Sequence, residues 1–470
     1  MNRERLLRGL GMIAAGAALM IVGSILAGAP AEPADPGAVH YVVPSGSGAR
    51  EGRGDGRSWE TAWRGLDGVD WTRVRPGDTV ILDGGAERAV YESTLAPAAS
   101  GGPGRPITVR RADSPGHSGQ VVIDGGRGVA LPWSGQRDYV SRADGVRRSG
   151  VRLERVSHLV IDGGAWRGIL IRGHNGPGVD LAGSASDVTI RNVEIADNGV
   201  AVRRKDGSWT SDLPGIRLAG RNIAVERAII HDCGQDCIQS GGVSNFALRR
   251  SWLYNSRPHP TDPAEPFNWP THSDGLQIYG GHRQDGVLVE DCIVGPGFNQ
   301  GLILGDGNSY PGEPWAVVDD VTVRNSTFVG HFGKSSNASI ISHPKLPADV
   351  PPRRWRIERC TLWRDPRLAQ WLNLYIRGVE HAVSDCIVYG GGVRFPDSEP
   401  RCSGNVEHDA PGLKIGEDAD PLFPATGFTG VGRGFDAFDL APRAGAARGK
   451  GSTMTSREKF FAGEDDPWGN

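Results

Sequence analysis

Seven eight-residue segments of this chain follow one frame that none of them can satisfy alone. They are VTIRNVEI (188–195), IAVERAII (223–230), FALRRSWL (246–253), VLVEDCIV (287–294), VTVRNSTF (321–328), WRIERCTL (355–362) and HAVSDCIV (381–388). The third position is always aliphatic: Ile190, Val225, Leu248, Val289, Val323, Ile357 and Val383. The fourth and fifth are nearly all charged or Asn, the sixth is small, and the eighth is apolar again. Apolar residues two apart put one face of a short strand inward. The polar pair then breaks the alternation, as at a corner. A unit this short cannot bury its apolar side by itself, so copies must stack.

VVIDGG (121–126) and LVIDGG (159–164) fit the front of the same frame. The nine starts are separated by 38, 29, 35, 23, 41, 34, 34 and 26 residues. Paired-helix solenoids hold their repeat length nearly fixed, whereas stacked strands keep register while their loops vary. No helical periodicity runs through the region. A second strand set lies between these segments: GIRLAG (215–220), DCIQSGG (236–242), DGLQIYGG (274–281) and QGLILGD (300–306). Each coil therefore carries at least two strands. With 69 Gly in 470 residues, the composition suits a fold with many tight corners.

HYVVPSGSG (40–48), GDGRSWETAW (54–63) and RPGDTVILDGG (75–85) resemble the opening coil of secreted pectate-lyase-like β-helix proteins. DADPLFPA (418–425) and FDLAPRAGAARGKG (438–451) resemble a degenerate form of their closing segment. The resemblance implies an all-β, single-stranded right-handed parallel β-helix of the pectin-lyase-like kind. Regular coils are expected over 39–395, and an irregular segment over 396–470 that completes or caps the helix. Arg3, Glu4, Arg5 and Arg8 precede an uncharged run from Gly9 to Ala31, which reads as a signal peptide over 1–31 or, if uncleaved, a membrane anchor. Residues 32–38 read as a linker. A secreted or cell-envelope location follows, and a monomer is expected. A net charge of −3 gives no sign of a nucleic-acid partner. Outside the cell, Cys233 and Cys237 could close a tight loop as a disulfide. Cys360 and Cys386 fall in one ladder as buried thiols.

Candidate chemistry concentrates between Ile230 and Asp306. HDCGQDCIQSGG (231–242) and THSDGLQIYGG (271–281) share Asp-x-[Ile/Leu]-Gln, so Asp236 should stack on Asp274 and Gln239 on Gln277. Gln300 continues the Asp column and Arg217 precedes the Gln column. Strand alternation points Ile238, Leu276 and Leu302 inward and Arg217, Gln239 and Gln277 outward. The long insertion 256–273 carries Trp269, Phe267 and His272 and could wall a groove. Two carboxylates one rung apart suit a retaining glycosidase pair or a shared calcium held by Asp232, Asp236 and Asp274; the plain alternative is that both acids form turns at strand starts.

GQDCIQ and HSDGLQ also resemble the acid motifs of the polygalacturonase family, which implies Asp274 and Asp236 as catalytic acids. Gln235, however, stands where that family has a further Asp, and the two strands come in reversed order. A polysaccharide lyase would instead use a base, for which Lys334 and His272 are candidates, with Arg217 on the substrate carboxylate. The expected function is thus an exported enzyme acting on an acidic polysaccharide by β-elimination. Hydrolysis, C5-epimerisation and non-catalytic carbohydrate binding are the alternatives.

Overall fold

The structure, a computed structural model, describes residues 37–46, 54–126, 149–181, 183, 185–199, 213–255, 273–280, 282–305, 315–330, 338–344, 346, 349–364, 372–423, 440–442, 447–454 and 456–460. It is a right-handed parallel β-helix. Its strands pair in parallel with the strand of the next coil, forming three ladders around one apolar core. The first ladder contains the aligned frame. Ile190 pairs in register with Val225, then Leu248, Val289, Val323, Ile357 and Val383, all fully buried. Two earlier coils extend the column through Ile161 and Val109.

LVIDGG belongs to this ladder, as the frame predicts, but VVIDGG does not. The strand Gln120–Asp124 pairs with Arg88–Tyr91 and Ile169–Arg172 in a separate twelve-stranded sheet, the second ladder. Its place in the first ladder is taken by Ile107–Arg111. The second ladder continues with three- and four-residue strands such as Val193–Ala196, Ile229–His231, Trp252–Tyr254 and Thr361–Trp363. They begin at the sixth or seventh frame position and run to the ninth, so each coil has three strands. The third ladder is the inserted set, through Val179–Asp180, the front of Ile216–Glu226 and of Ile238–Arg249, Asp274–Ile278, Gln300–Leu304, Ala338–Ser342 and Leu372–Tyr375.

The polar pair makes a corner because its second member is left-handed. Asn192, Arg227, Arg250, Asp291, Asn325, Arg359 and Asp385 all have φ between 45° and 59°, and Gly404 takes the position in the next coil. The small sixth position does more than avoid crowding. Ser251 Oγ accepts the Ala228 N–H (3.1 Å), Ser326 Oγ the Cys292 N–H (3.1 Å), and Asn405 Oδ1 the Cys386 N–H (2.9 Å). Cys386 Sγ does the same for Cys360 (3.4 Å), and both remain thiols. Cys233 and Cys237 are likewise buried thiols rather than a disulfide.

Strands persist beyond residue 395, at Arg401–Ser403, Val406–His408 and Glu417–Asp418. The chain then returns along the outside of the second ladder. Gly451 N–H donates to Asp385 O (2.8 Å), Ser452 N–H to Thr361 Oγ1 (3.0 Å), and Thr327 Oγ1 to Met454 O (2.6 Å). Phe460, in the helical turn Arg457–Phe460, packs against Trp166 and Trp252. Residues 1–36 lie outside the described residues. No described helix is long and apolar enough to cross a membrane.

Candidate functional site

A β-helix offers three outer faces, of which one is covered here and another carries a self-neutralising charge column. The second ladder is covered by the returning C-terminal segment, with Leu440, Ala447 and Phe460 buried against it. The first ladder carries a column of eight charges in coil order: Arg110, Asp162, Arg191, Glu226, Arg249, Glu290, Arg324 and Glu358. The signs alternate without exception. Arg191 bridges to Asp162 (2.8 Å), Arg249 to Glu226 (3.0 Å) and Glu290 (3.3 Å), and Arg324 to Glu290 (2.6 Å). Like charges stacked on neighbouring strands would repel, and alternation removes that cost. The column is legible down the fourth frame position, but only once coil order is fixed.

The third ladder remains, and it carries the residues singled out from the sequence. Arg217 pairs in register with Gln239, and Gln239 with Gln277, while Asp180 precedes them. Ile238, Leu276 and Leu302 are fully buried on the inner side, whereas Arg217 is exposed and the two Gln are half-buried. Asp274 pairs with Gln300, as expected. Asp236 lies one coil before Asp274: its Oδ1 accepts the Asp274 N–H at 2.7 Å. Asp274 Oδ1 in turn accepts the Gln300 N–H at 2.9 Å. Gln239 Nε2 donates to Asp236 Oδ2 (2.8 Å) and to Gln277 Oε1 (3.0 Å). Two parallel polar columns therefore run along the axis, cross-linked by side-chain amides.

Both acids are fully buried, and each commits one oxygen to a main-chain donor of the following coil. That is the work of a strand-start anchor, the turn-forming alternative. Arg217 is held in a two-point ion pair with Asp180 (2.8 and 2.6 Å), which raises the guanidinium pKa. A substrate carboxylate at Arg217 would have to share it with Asp180.

Trp269, His272 and Lys334 lie outside the described residues. Asp232 follows the second-ladder strand Ile229–His231, where Oδ2 meets His231 Nδ1 (2.9 Å) and Oδ1 accepts Asn255 Nδ2 (2.6 Å). Among the described residues no three His, Cys, Asp or Glu side chains gather into a group that could hold a metal ion.

His231, which sequence order places near the paired acids, belongs to a separate buried cluster. Its Nε2 meets Glu194 Oε1 (3.1 Å), and its ring stacks on Tyr254 with centroids 4.7 Å apart. Burial opposes its charge, but the hydrogen bonds to Asp232 and Glu194 outweigh it and push the imidazolium pKa up to about 10. Burial also works against the Glu194 carboxylate, yet His231 and Arg167 hold its pKa below the ordinary value. A histidine so firmly protonated is not available as a base near neutral pH.

No protein-family model matches this chain, and no curated protein does. Among solved structures it is similar to the pectate lyase Pel9A, at 13% identity and a TM-score of 0.43 over 85% of this chain and 86% of that one. It is also similar to an alginate lyase from Paenibacillus sp. str. FPU-7 (13%, TM-score 0.36, 73% of this chain and 89% of that one). A third is the A-module of the Azotobacter vinelandii mannuronan C-5 epimerase AlgE4 (12%, TM-score 0.38, 79% and 83%). By its own strand pairing, coil on coil in parallel around a single apolar core, the chain has a parallel β-helix fold.

Proposed function

We propose that this chain is an exported carbohydrate-active enzyme whose substrate, a linear polysaccharide, lies along the third ladder. One observation carries the reading: Arg217, Gln239 and Gln277 stand in register on successive coils, facing outward. Coils repeat every ~4.8 Å, so the strip offers hydrogen-bonding groups at regular intervals along a straight line. A polymer of repeating hydroxyl-bearing units is the ligand class that such a strip can read. The other two faces favour this placement, one being covered and the other neutralised within itself. Export is supported by the basic start and uncharged run of residues 1–31.

For the reaction, β-elimination on an acidic polysaccharide is the reading we favour. The anchoring bonds of Asp236 and Asp274 argue against a retaining hydrolase, in which both carboxyl groups must face the sugar. Arg217 stands beside Gln239 at the start of the amide column, and His272 and Lys334 remain the candidates for the base. Those same anchoring bonds also favour the runner-up, a non-catalytic binding protein, because the groove then keeps amides and loses its acids.

Incubation with a polysaccharide panel separates these. The expected result is a new ultraviolet absorbance from an unsaturated product, together with new reducing ends, lost or reduced in Gln239→Ala/Gln277→Ala protein. Reducing ends without unsaturation would overturn elimination in favour of hydrolysis. Retention on a polysaccharide with neither product would overturn catalysis by cleavage.

A further inference from the structure

The charge column of the first ladder has a property that alternation alone does not require. It has eight members, bounded by Ile81 before Arg110 and Ser384 after Glu358. It begins positive and ends negative, so reading it backwards inverts every sign. We propose that this face is the contact between two copies of the chain, packed with their helix axes antiparallel. The two-fold axis would lie in the interface along the strand direction, midway between the coils of Glu226 and Arg249. Rotation about it lays the column on itself in reverse. Glu226 then faces Arg249 of the second copy, Arg191 faces Glu290, Asp162 faces Arg324, and Arg110 faces Glu358. Every pair is opposite in sign. A slip of one rung, about 4.8 Å, puts like against like throughout, so the register is specified.

The neighbouring column fits the same operation. Its central members, Ala224 and Ala247, face each other across the dyad and are the smallest side chains in it. Thr189 meets Leu288, and Val160 meets Thr322; all are half-buried in the single chain. Short side chains at the centre let two flat sheets approach, and the arginines keep solvent-facing surface to contribute, with Arg191, Arg249 and Arg324 side chains 44%, 40% and 48% exposed. Seven coil spacings by a six-residue strand give roughly 700 Å² per copy, close to the ~800 Å² per partner of an ordinary specific interface. The charged make-up places the dimer at the salt-sensitive end of that class.

The test is sedimentation and light scattering of the full chain near 0.05 M and near 0.5 M salt, up to a protein concentration of about 100 µM. A dimer is expected at low salt, dissociating at least tenfold more readily at high salt. Arg249→Glu, which sets Glu against Glu226 twice across the dyad, should leave a folded monomer. The exchange Glu226→Arg/Arg249→Glu is decisive. It restores the contact across the dyad but leaves like charges on neighbouring rungs within each chain, at 191/226 and 249/290. Recovery of the dimer without recovery of melting temperature confirms the contact. A wild-type monomer at every concentration overturns the proposal. So does association insensitive to salt and to Arg249→Glu, and so does an exchange variant that stays monomeric although folded.

Discussion

Asp274→Asn and Asp274→Ala distinguish an anchoring carboxylate from a reacting one. In the native chain, Asp274 Oδ1 accepts the Gln300 N–H at 2.9 Å, and Gln300 is 3% exposed. Alanine removes the acceptor and strands a buried donor. That costs about 1–3 kcal/mol, and the complete burial of Asp274 places it in the upper half of the range. We therefore expect Asp274→Ala to lower unfolding stability by about 2–3 kcal/mol. Asparagine keeps an acceptor oxygen at the same place, so about 1 kcal/mol is expected. Urea unfolding gives the comparison, with the midpoints read at unchanged slope. Turnover on the polysaccharide found by the panel supplies the second axis: the Asn variant should keep activity within a few-fold of the native enzyme. Loss of an acid–base group typically costs about a hundredfold or more. A stable Asn variant with turnover reduced that far would refute the anchoring argument. An Ala variant as stable as the native chain would refute its energetic basis.

Three further outcomes follow from the fold. His231 has its folded pKa raised to about 10, above its ordinary value near 6.5, so its stabilisation is full below about pH 6.5 and is lost as pH rises through about 10. Native melting temperature should fall across that window, while His231→Gln protein melts lower and with a flatter profile; parallel profiles would remove the imidazolium from the account. Val323 is fully buried between Val289 and Ile357, so Val323→Asp should cost more than about 4 kcal/mol. A soluble Val323→Asp variant with native melting would contradict the core assignment. Phe460→Ala removes an aromatic that is 3% exposed between Trp166 and Trp252, at a cost of about 3 kcal/mol. Limited proteolysis should then release the C-terminal segment, and protection equal to the native chain would count against its docking.

The first ladder was legible because one aliphatic position recurs on a fixed frame, and parallel pairing keeps that position in register. LVIDGG and VVIDGG show the limit. The two are nearly the same hexapeptide, but one strand is followed by a second-ladder strand and the other is itself one. Which face a short apolar strand joins depends on the turns before and after it, and no local pattern records that. The second ladder was hidden for a related reason: its three-residue strands are too short to show alternation. Asp236 over Asp274 and Gln239 over Gln277 could be read from the repeated Asp-x-[Ile/Leu]-Gln. The direction of their bonds could not, because an Asp that accepts a main-chain N–H and an Asp that faces a substrate have the same sequence signature. The grouping of His231 with Glu194 and Arg167 was equally invisible, since the three come from separate coils and meet only through register.

The returning C-terminal segment changes how such a stack is made. Coils that touch only their neighbours can close one after another as a chain is synthesised, each new coil templated by the last. Here Met454 bonds to Thr327 across 127 residues of sequence, and Phe460 reaches coils as early as that of Trp166. Those contacts cannot form until residues 451–460 have left the ribosome. Until then the outer face of the second ladder, with Trp252 and Ile293 on it, is uncovered. The nascent solenoid thus carries a temporary apolar stripe, and the arrival of residues 440–460 is the event that conceals it.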